Sequence, residues 1–170
     1  MAELTPLERL QPALLDRLCD DDPGQRTEPR ERRVLNRAQL RQAVLRDLAW
    51  LFNATRPGAS EGLSAHPEAA RSVLNYGLPA LAGETASSLD TQALEARARD
   101  AIVEFEPRIE PESLEVQVVI SEDWMDQHNL IGIEIRGKLW AQPVPLDLLL
   151  RTELDLETGH VEVRDLSGAA

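Results

Sequence analysis

Glu104, Glu106 and Glu112 crowd one short stretch of the chain, with Pro107 and Arg108 between the last two. Clustered carboxylates raise the possibility of glycoside hydrolysis, in which two acids ~5 to 9.5 Å apart flank the scissile bond and an apolar or like-charged setting keeps one of them protonated. Glu106 suits that role badly, because Arg108 beside it should hold its carboxylate ionised. The chain has three tryptophans, one tyrosine and two phenylalanines, and Phe52 and Phe105 already fit apolar helix faces, so few rings remain for sugar stacking. A glycosidase, with a polysaccharide such as peptidoglycan as substrate, is kept as the alternative reading. His66, His128 and His160 are far apart in expected loops or turns, and no H-E-x-x-H is present. No G-x-S-x-G elbow, phosphate-binding loop or dinucleotide fingerprint occurs. Asp20-Asp21-Asp22 are consecutive and run into Pro23, which reads as a turn and not as the alternating ligands of a calcium loop. No metal, cofactor or catalytic residue is expected.

The same glutamates can be read as part of a corner. In Ala101-Ile102-Val103-Glu104-Phe105-Glu106-Pro107-Arg108-Ile109 an amphipathic helix meets a proline that cannot donate the helical hydrogen bond and drives its predecessor out of the α region. Glu106 should sit at or just past the helix end, with Arg108 two residues on. A pair pinned this way serves equally as an internal ion pair or helix-end cap and as a contact for a partner.

The elements that hold this corner follow from composition and periodicity. At 170 residues one domain with a real core is expected, burying ~70% of its unfolded surface. No apolar run approaches the ~18 to 20 residues of a membrane helix, and the N-terminus lacks the regions of a signal peptide, so a cytosolic protein without membrane insertion is expected. The lone Cys19 is read as a small apolar side chain. A net charge of −12 argues against nucleic acid as a partner. Between Arg26 and Arg46, however, seven arginines (26, 30, 32, 33, 37, 41, 46) face only Glu28 and Glu31, giving +5 there and, since −12 − 5 = −17, −17 elsewhere. Apart from Lys138 every cationic side chain is arginine. This band is either a composition bias or an arginine-rich docking face, with Arg37 and Arg41 as a second contact site on the helix surface.

Leu7, Leu10, Leu14, Leu15 and Leu18 predict a short amphipathic helix, and Asp20 to Arg33 a linker or loop. Leu40, Val44, Leu48, Leu51 and Phe52 line a second helix, with Asn36 as N-cap, Gln39 completing a capping box and Pro57-Gly58 as its stop. A short helix from Pro67 to Asn75 follows, with Gly77 as its left-handed end and Pro79 blocking continuation, and a further helix spans about Thr91 to Phe105. The period then changes to two. Leu114, Val116, Val118 and Ile120, then Ile131, Ile133, Ile135 and Leu139, then Leu146, Leu148, Leu150, Leu154 and Leu156, then Val161 and Val163 mark half-buried strands, the last pair joined by a turn at Glu157-Thr158-Gly159. Trp50 and Trp140 are assigned to the core or the sheet surface, and Trp124 to packing on the sheet end from an acidic loop, Ser121 to Asn129. Helices first and strands last give an α+β fold, helices on one face of an antiparallel meander of about four strands. The expected divisions are an N-terminal helix and linker over 1–33, a domain over 34–166 and a tail over 167–170.

Phe105-Glu106-Pro107-Arg108, Ser72-Val73-Leu74-Asn75-Tyr76-Gly77-Leu78-Pro79 upstream and Leu14-Leu15-Asp16-Arg17-Leu18 together resemble the TssE family of bacterial type VI secretion, related to the baseplate wedge proteins of contractile phage tails, some relatives of which have been labelled lysozyme-like. The resemblance implies a non-enzymatic wedge subunit in the cytoplasm, at a baseplate docked on the inner membrane. It implies that Glu106, Pro107 and Arg108 hold the wedge's helical bundle, and that Asn75, Tyr76, Gly77 and Pro79 shape a turn. It also implies TssF-, TssG- and TssK-type baseplate partners, TssB- and TssC-type sheath subunits and contact with a VgrG spike hub. Extended sheath arms would add as strands to the sheet. Charge reversal at Glu106 or Arg108 is expected to leave the domain folded while releasing it from the wedge.

Overall fold

Asn36 opens the first long helix in the manner its side chain predicts. In the computed structural model, which describes residues 13–18, 24, 35–57, 63–81, 89–119, 130–141 and 145–166, a five-residue helix α1 (Leu14–Leu18) precedes helix α2 (Arg37–Asn53). The Asn36 side chain accepts from the Gln39 N–H at 2.9 Å and the Gln39 side chain accepts from the Asn36 N–H at 2.9 Å. Such a reciprocal cap contributes about 1 kcal/mol. Helix α2 buries Leu40, Ala43, Val44, Leu48, Leu51 and Phe52, but it ends at Asn53 and not at Pro57-Gly58. The early stop has a partner: the Ala54 carbonyl accepts from Leu78 N and Arg56 N donates to the Leu78 carbonyl, both at 2.9 Å, so the chain leaves the helix to form a parallel bridge.

The predicted helix from Pro67 to Asn75 is two pieces, α3 (Pro67–Ala70) and a 3₁₀ turn at Val73–Asn75. Ser72 separates them. Its backbone is extended, its hydroxyl donates to the Ala69 carbonyl at 2.8 Å, and the same oxygen accepts from Leu74 N at 3.2 Å, which closes one turn and opens the next. Gly77 then crosses α2's exit at φ +113°, where a Cβ would lie 2.2 Å from the Ala54 carbonyl oxygen. Only glycine fits both the dihedral and the approach.

Helix α4 (Thr91–Phe105) spans the predicted range, capped by Asp90, and buries Leu94, Ala98, Ala101 and Ile102. Strands β1 (Glu115–Val119), β2 (Leu130–Leu139), β3 (Leu146–Asp155) and β4 (Val161–Asp165) follow in an antiparallel sheet of order β1-β2-β3-β4, so among the described residues the fold is the expected α+β arrangement. Ile131, Ile133, Ile135, Leu139, Leu148, Leu150 and Leu154 point into the core, where α4 lies along β1 and α2 along β4. Thr152 interrupts the leucine alternation of β3 and is nonetheless fully buried, its hydroxyl donating to the Ile133 carbonyl at 3.3 Å. Pairing a buried hydroxyl with a carbonyl offsets its desolvation. Among the described residues no helix is long and apolar enough to cross a membrane. Cys19, Asp20 to Asp22, the arginines at 26, 30, 32 and 33, Ile120, Trp124 and His128 lie outside the described residues.

Candidate functional site

Helix α4 ends where Glu106 N donates to the Ile102 carbonyl at 2.8 Å, and Pro107 turns the chain away from the helix axis. The next residues are stitched to the end of β2: Trp140 N donates to the Arg108 carbonyl at 2.8 Å, Glu110 N to the Lys138 carbonyl at 2.9 Å, and Ile109 bridges Leu139. Helix and sheet therefore fix the corner from both sides. Within it Glu106 is only 3% exposed, Pro107 is exposed, and the Arg108 side chain is 23% exposed. Glu106 Oε1 accepts from Arg108 N at 3.1 Å and from Arg108 Nε at 2.6 Å, and Oε2 accepts from Arg108 Nη2. This fork-to-fork pairing occupies both carboxylate oxygens, and neither is offered to a substrate.

The arginine reaches further. Arg108 Nη2 also donates to Asp47 Oδ2 of α2 at 2.5 Å. Asp47 Oδ1 accepts from Arg46 Nε and Nη2 at 2.9 and 2.8 Å, and Arg46 Nη1 pairs with Asp16 of α1. Charges alternate in sign along the line Glu106, Arg108, Asp47, Arg46, Asp16, which joins three segments distant in sequence. Burial works against the Arg108 charge, yet hydrogen bonds and attraction from Glu106 and Asp47 outweigh it and raise its pKa. The hydrogen bond from Arg46 holds Asp16 below its usual carboxylate range, and Arg46 is raised in turn, first by Asp16. Tyr76 stands over the cluster, its hydroxyl donating to the Asp47 carbonyl at 3.4 Å and its ring edge-on to Phe105 at 5.2 Å. Burial and then the negative charges of Asp47 and Glu106 push the Tyr76 phenol upward.

The other expected site residues divide. Asn75 Nδ2 donates to the Ala70 carbonyl at 2.8 Å, and Tyr76 and Gly77 lead into the bridge of Leu78 at the exit of α2. Pro79 follows the bridge and lines a cleft of about 300 Å³ with Phe52, Leu154 and His160, and among the described residues its wall contains no carboxylate. Arg37 is exposed, whereas Arg41 is half-buried, donating to the Asp147 carbonyl at 2.6 Å and pairing with Asp165 at 3.4 Å, so it fastens α2 to the sheet. Trp50, assigned to the core or sheet surface, is 49% exposed, with the Arg46 guanidinium 4.9 Å above its ring. It stands on the flank of α2 next to the charge line, away from the apolar stripe, and a cation–π contact takes the place of burial. Glu104 pairs with exposed Arg71, and Glu112 is exposed, so the two do not join Glu106 in a cleft.

Asp16, Arg46 and Asp47 were missed as site residues. Asp47 adjoins the buried Leu48 at the border of the helix stripe, and an acidic residue on that border, one position after an arginine, was the available signal. The distance to residue 108 had none.

An α+β domain whose helix-to-strand corner is braced by a line of ion pairs, the one glutamate buried among the described residues being spent on an arginine, is built as a structural component. The family model for baseplate wedge protein gp25 matches residues 38–144, more than half of the chain and inclusive of Asp47, the Gly77 turn and the Glu106-Pro107-Arg108 corner. The chain belongs to the baseplate wedge protein gp25 family, the phage-tail family to which its motifs pointed, and its role is a structural one in a baseplate. Neither the curated proteins nor the solved structures gave a match.

Proposed function

We propose that this chain is a TssE-type subunit of a type VI secretion baseplate, without enzymatic activity, working on the cytoplasmic side of the bacterial inner membrane. Its corner holds the helical bundle of TssF- and TssG-type wedge subunits, with TssK-type subunits and a VgrG-type hub in the same assembly, and its sheet starts the polymer of TssB- and TssC-type sheath subunits. The observation that carries this reading is the division of labour inside the corner: Glu106 is buried behind Arg108, while Pro107 and the rim of the guanidinium face outward. A rigid, partly exposed arginine backed by carboxylates is preorganised for a partner at little entropic cost.

The burial of Glu106 changes the choice of variant, because a reversed charge there would leave Arg108 and a new arginine facing one another inside the protein. Pro107 at the apex is exposed and should tolerate substitution with little change in stability. The experiment is a pull-down of the tagged chain from its native bacterium, wild type against Pro107→Arg, with mass spectrometry of the copurifying proteins. Wedge and sheath subunits with the wild type, and loss of the wedge subunits from an equally stable Pro107→Arg, are expected. Recovery by both would leave the corner a purely structural brace. Recovery by neither would end the secretion reading and send the purified chain to a peptidoglycan cleavage assay.

A further inference from the structure

Both edges of the sheet run beside a helix that reaches over to bond the edge backbone, but the two bonds differ in kind. On β4 the Asn53 side chain takes both main-chain groups of Val161, accepting from its N–H at 3.0 Å and donating to its carbonyl at 2.8 Å, and Asn53 is itself anchored on the Ala49 carbonyl at 2.8 Å. The amide therefore occupies the place of a neighbouring strand. Arg41 fastens the other end of β4 through Asp165. On β1 a single carboxylate oxygen of Glu95 accepts from Val118 N at 2.8 Å. Since antiparallel pairing alternates, the N–H and carbonyl of Val116 face outward on the same side as those of Val118. The charges differ as well. Glu95 on α4, Glu112 in the 3₁₀ turn before β1 and Glu115 at the start of β1, opposite Arg136 of β2 in the register, give this side its carboxylates, and Arg99 is turned onto the Pro111 carbonyl at 3.1 Å. On β4 Arg164 is matched by Glu162 and Glu153, and Asp165 by Arg41.

We propose that β1 is the edge that accepts an incoming strand, that Glu95 is its displaceable guard, and that the occupant is an extended segment from another protein carrying lysine or arginine at alternate positions. This rests on the reading that the sheet takes up strands during assembly. A carbonyl of the incoming strand replaces the Glu95 carboxylate on Val118 N–H, and Glu95, half-buried and held by that bond, swings toward water and the basic side chains of the new strand. Displacing Asn53 would instead break two main-chain bonds at once, against one for Glu95. In the free protein Glu95 covers part of a row of groups that would otherwise invite edge-to-edge association.

The test is amide hydrogen exchange on the wild-type chain, free and in the sheath complex recovered from its bacterium. Slowing of the Val116 amide by on the order of tenfold or more is expected, the change that one new backbone hydrogen bond brings, with a smaller slowing at Val118, which exchanges Glu95 for a strand carbonyl, and Val163 unaffected. Slowing at Val163 without change at Val116 and Val118 would overturn the choice of edge and leave strand addition standing, whereas unchanged exchange at both edges would overturn strand addition itself. Two edge-blocking variants, Val116→Pro and Val163→Pro, each checked by its melting temperature, give the same separation in cells through the count of assembled sheaths. Sheath loss with Val116→Pro alone is expected; loss with Val163→Pro alone, or with neither, overturns the proposal. Glu95→Ala should let a synthetic ten-residue peptide of alternating valine and lysine bind several-fold more tightly than wild type does, and a valine–glutamate peptide should bind neither. Equal binding of the two peptides would remove the charge requirement.

Discussion

The corner at Glu106 to Arg108 and the solvent face of the sheet are made from the same chemistry, arginine paired with carboxylate, and behave as opposites. On the sheet, Arg164 is 53% exposed and pairs with Glu162 two residues away and with Glu153 on the neighbouring strand, and Arg136 pairs with Glu134 on its own strand. These bonds join groups that the backbone already holds together. At the corner, Arg108 joins a buried carboxylate that closes α4 to an aspartate on α2, and that aspartate's neighbour reaches α1. Two of the bonds there, Arg108 to Asp47 and Arg46 to Asp16, fix segments that the sequence leaves far apart. Because water is displaced at the corner and not at the sheet, losing a partner is costly at the first site and nearly free at the second.

Glu106→Ala gives the largest expected effect. It strips Arg108 of its fork while leaving the guanidinium mostly enclosed, and the remaining bond to Asp47 offsets only part of the loss. Removing one partner of a buried pair costs about 3 to 5 kcal/mol; access of water to Arg108 brings the expected loss to about 2 to 3 kcal/mol, read as an earlier urea midpoint at unchanged slope. Asp47→Ala, which removes the other carboxylate that Arg108 holds, on the α2 side, should cost less, about 1 to 2 kcal/mol, since Arg108 keeps Glu106. Were Glu106→Ala as silent as a surface change, the contrast between the two regions would collapse and the corner would be held by its backbone bonds alone.

How much of this was legible depended on the range of the interaction. Local signals read through directly: Asn36 with Gln39 gave the capping box, Pro107 gave the end of α4 at Phe105, and alternation gave the strand positions, Glu157-Thr158-Gly159 included. Misreadings came where a distant contact overrode a local preference. Helix α2 ends at Asn53 because Leu78 pairs with Ala54 and Arg56, which no residue near 53 announces. Ser72 splits the predicted helix after Pro67 by bonding its own neighbours, a competition visible in its residue type but decided by the turn that follows. Glu106 and Arg108 could be named from sequence, whereas the line through Asp47 and Arg46 to Asp16 requires α1 and α2 to lie side by side, and periodicity carries no information about that.

Acid should separate the two ends of the line. Asp16 has its pKa depressed by Arg46, so its contribution is present above the unfolded value, about 4, and is lost as pH falls through the lower folded value. Stability of the wild type should therefore drop more steeply below about pH 4 than that of Asp16→Asn, while the two run parallel from there toward neutrality. Coincident profiles down to the lowest pH would mean that α1 is not fastened by this pair. Because α1 buries none of its residues and leaves Leu14 71% exposed, it has little else to hold it, and its amides should exchange first in the variant.

The smallest effect is expected at Arg164, on the solvent face of the sheet, in spite of its three side-chain hydrogen bonds. Arg164 Nη2 lies 2.9 Å from Glu162 Oε2 and Nη1 lies 3.0 Å from Glu153 Oε1, both ordinary hydrogen-bond distances. Its guanidinium is raised in pKa, first by the hydrogen bonds it donates to Glu162, and both Glu162 and Arg164 are bathed in solvent. Water and salt screen such a pair, and holding two long side chains together costs rotamer freedom that the bond barely offsets. Arg164→Ala should leave the urea midpoint indistinguishable from wild type at physiological salt, with any loss confined to low ionic strength. A clear loss that persists in high salt would place Arg164 among the groups that hold the fold, and would show that the row Glu134, Arg151, Arg164 across β2, β3 and β4 acts as one cooperative unit in spite of its exposure.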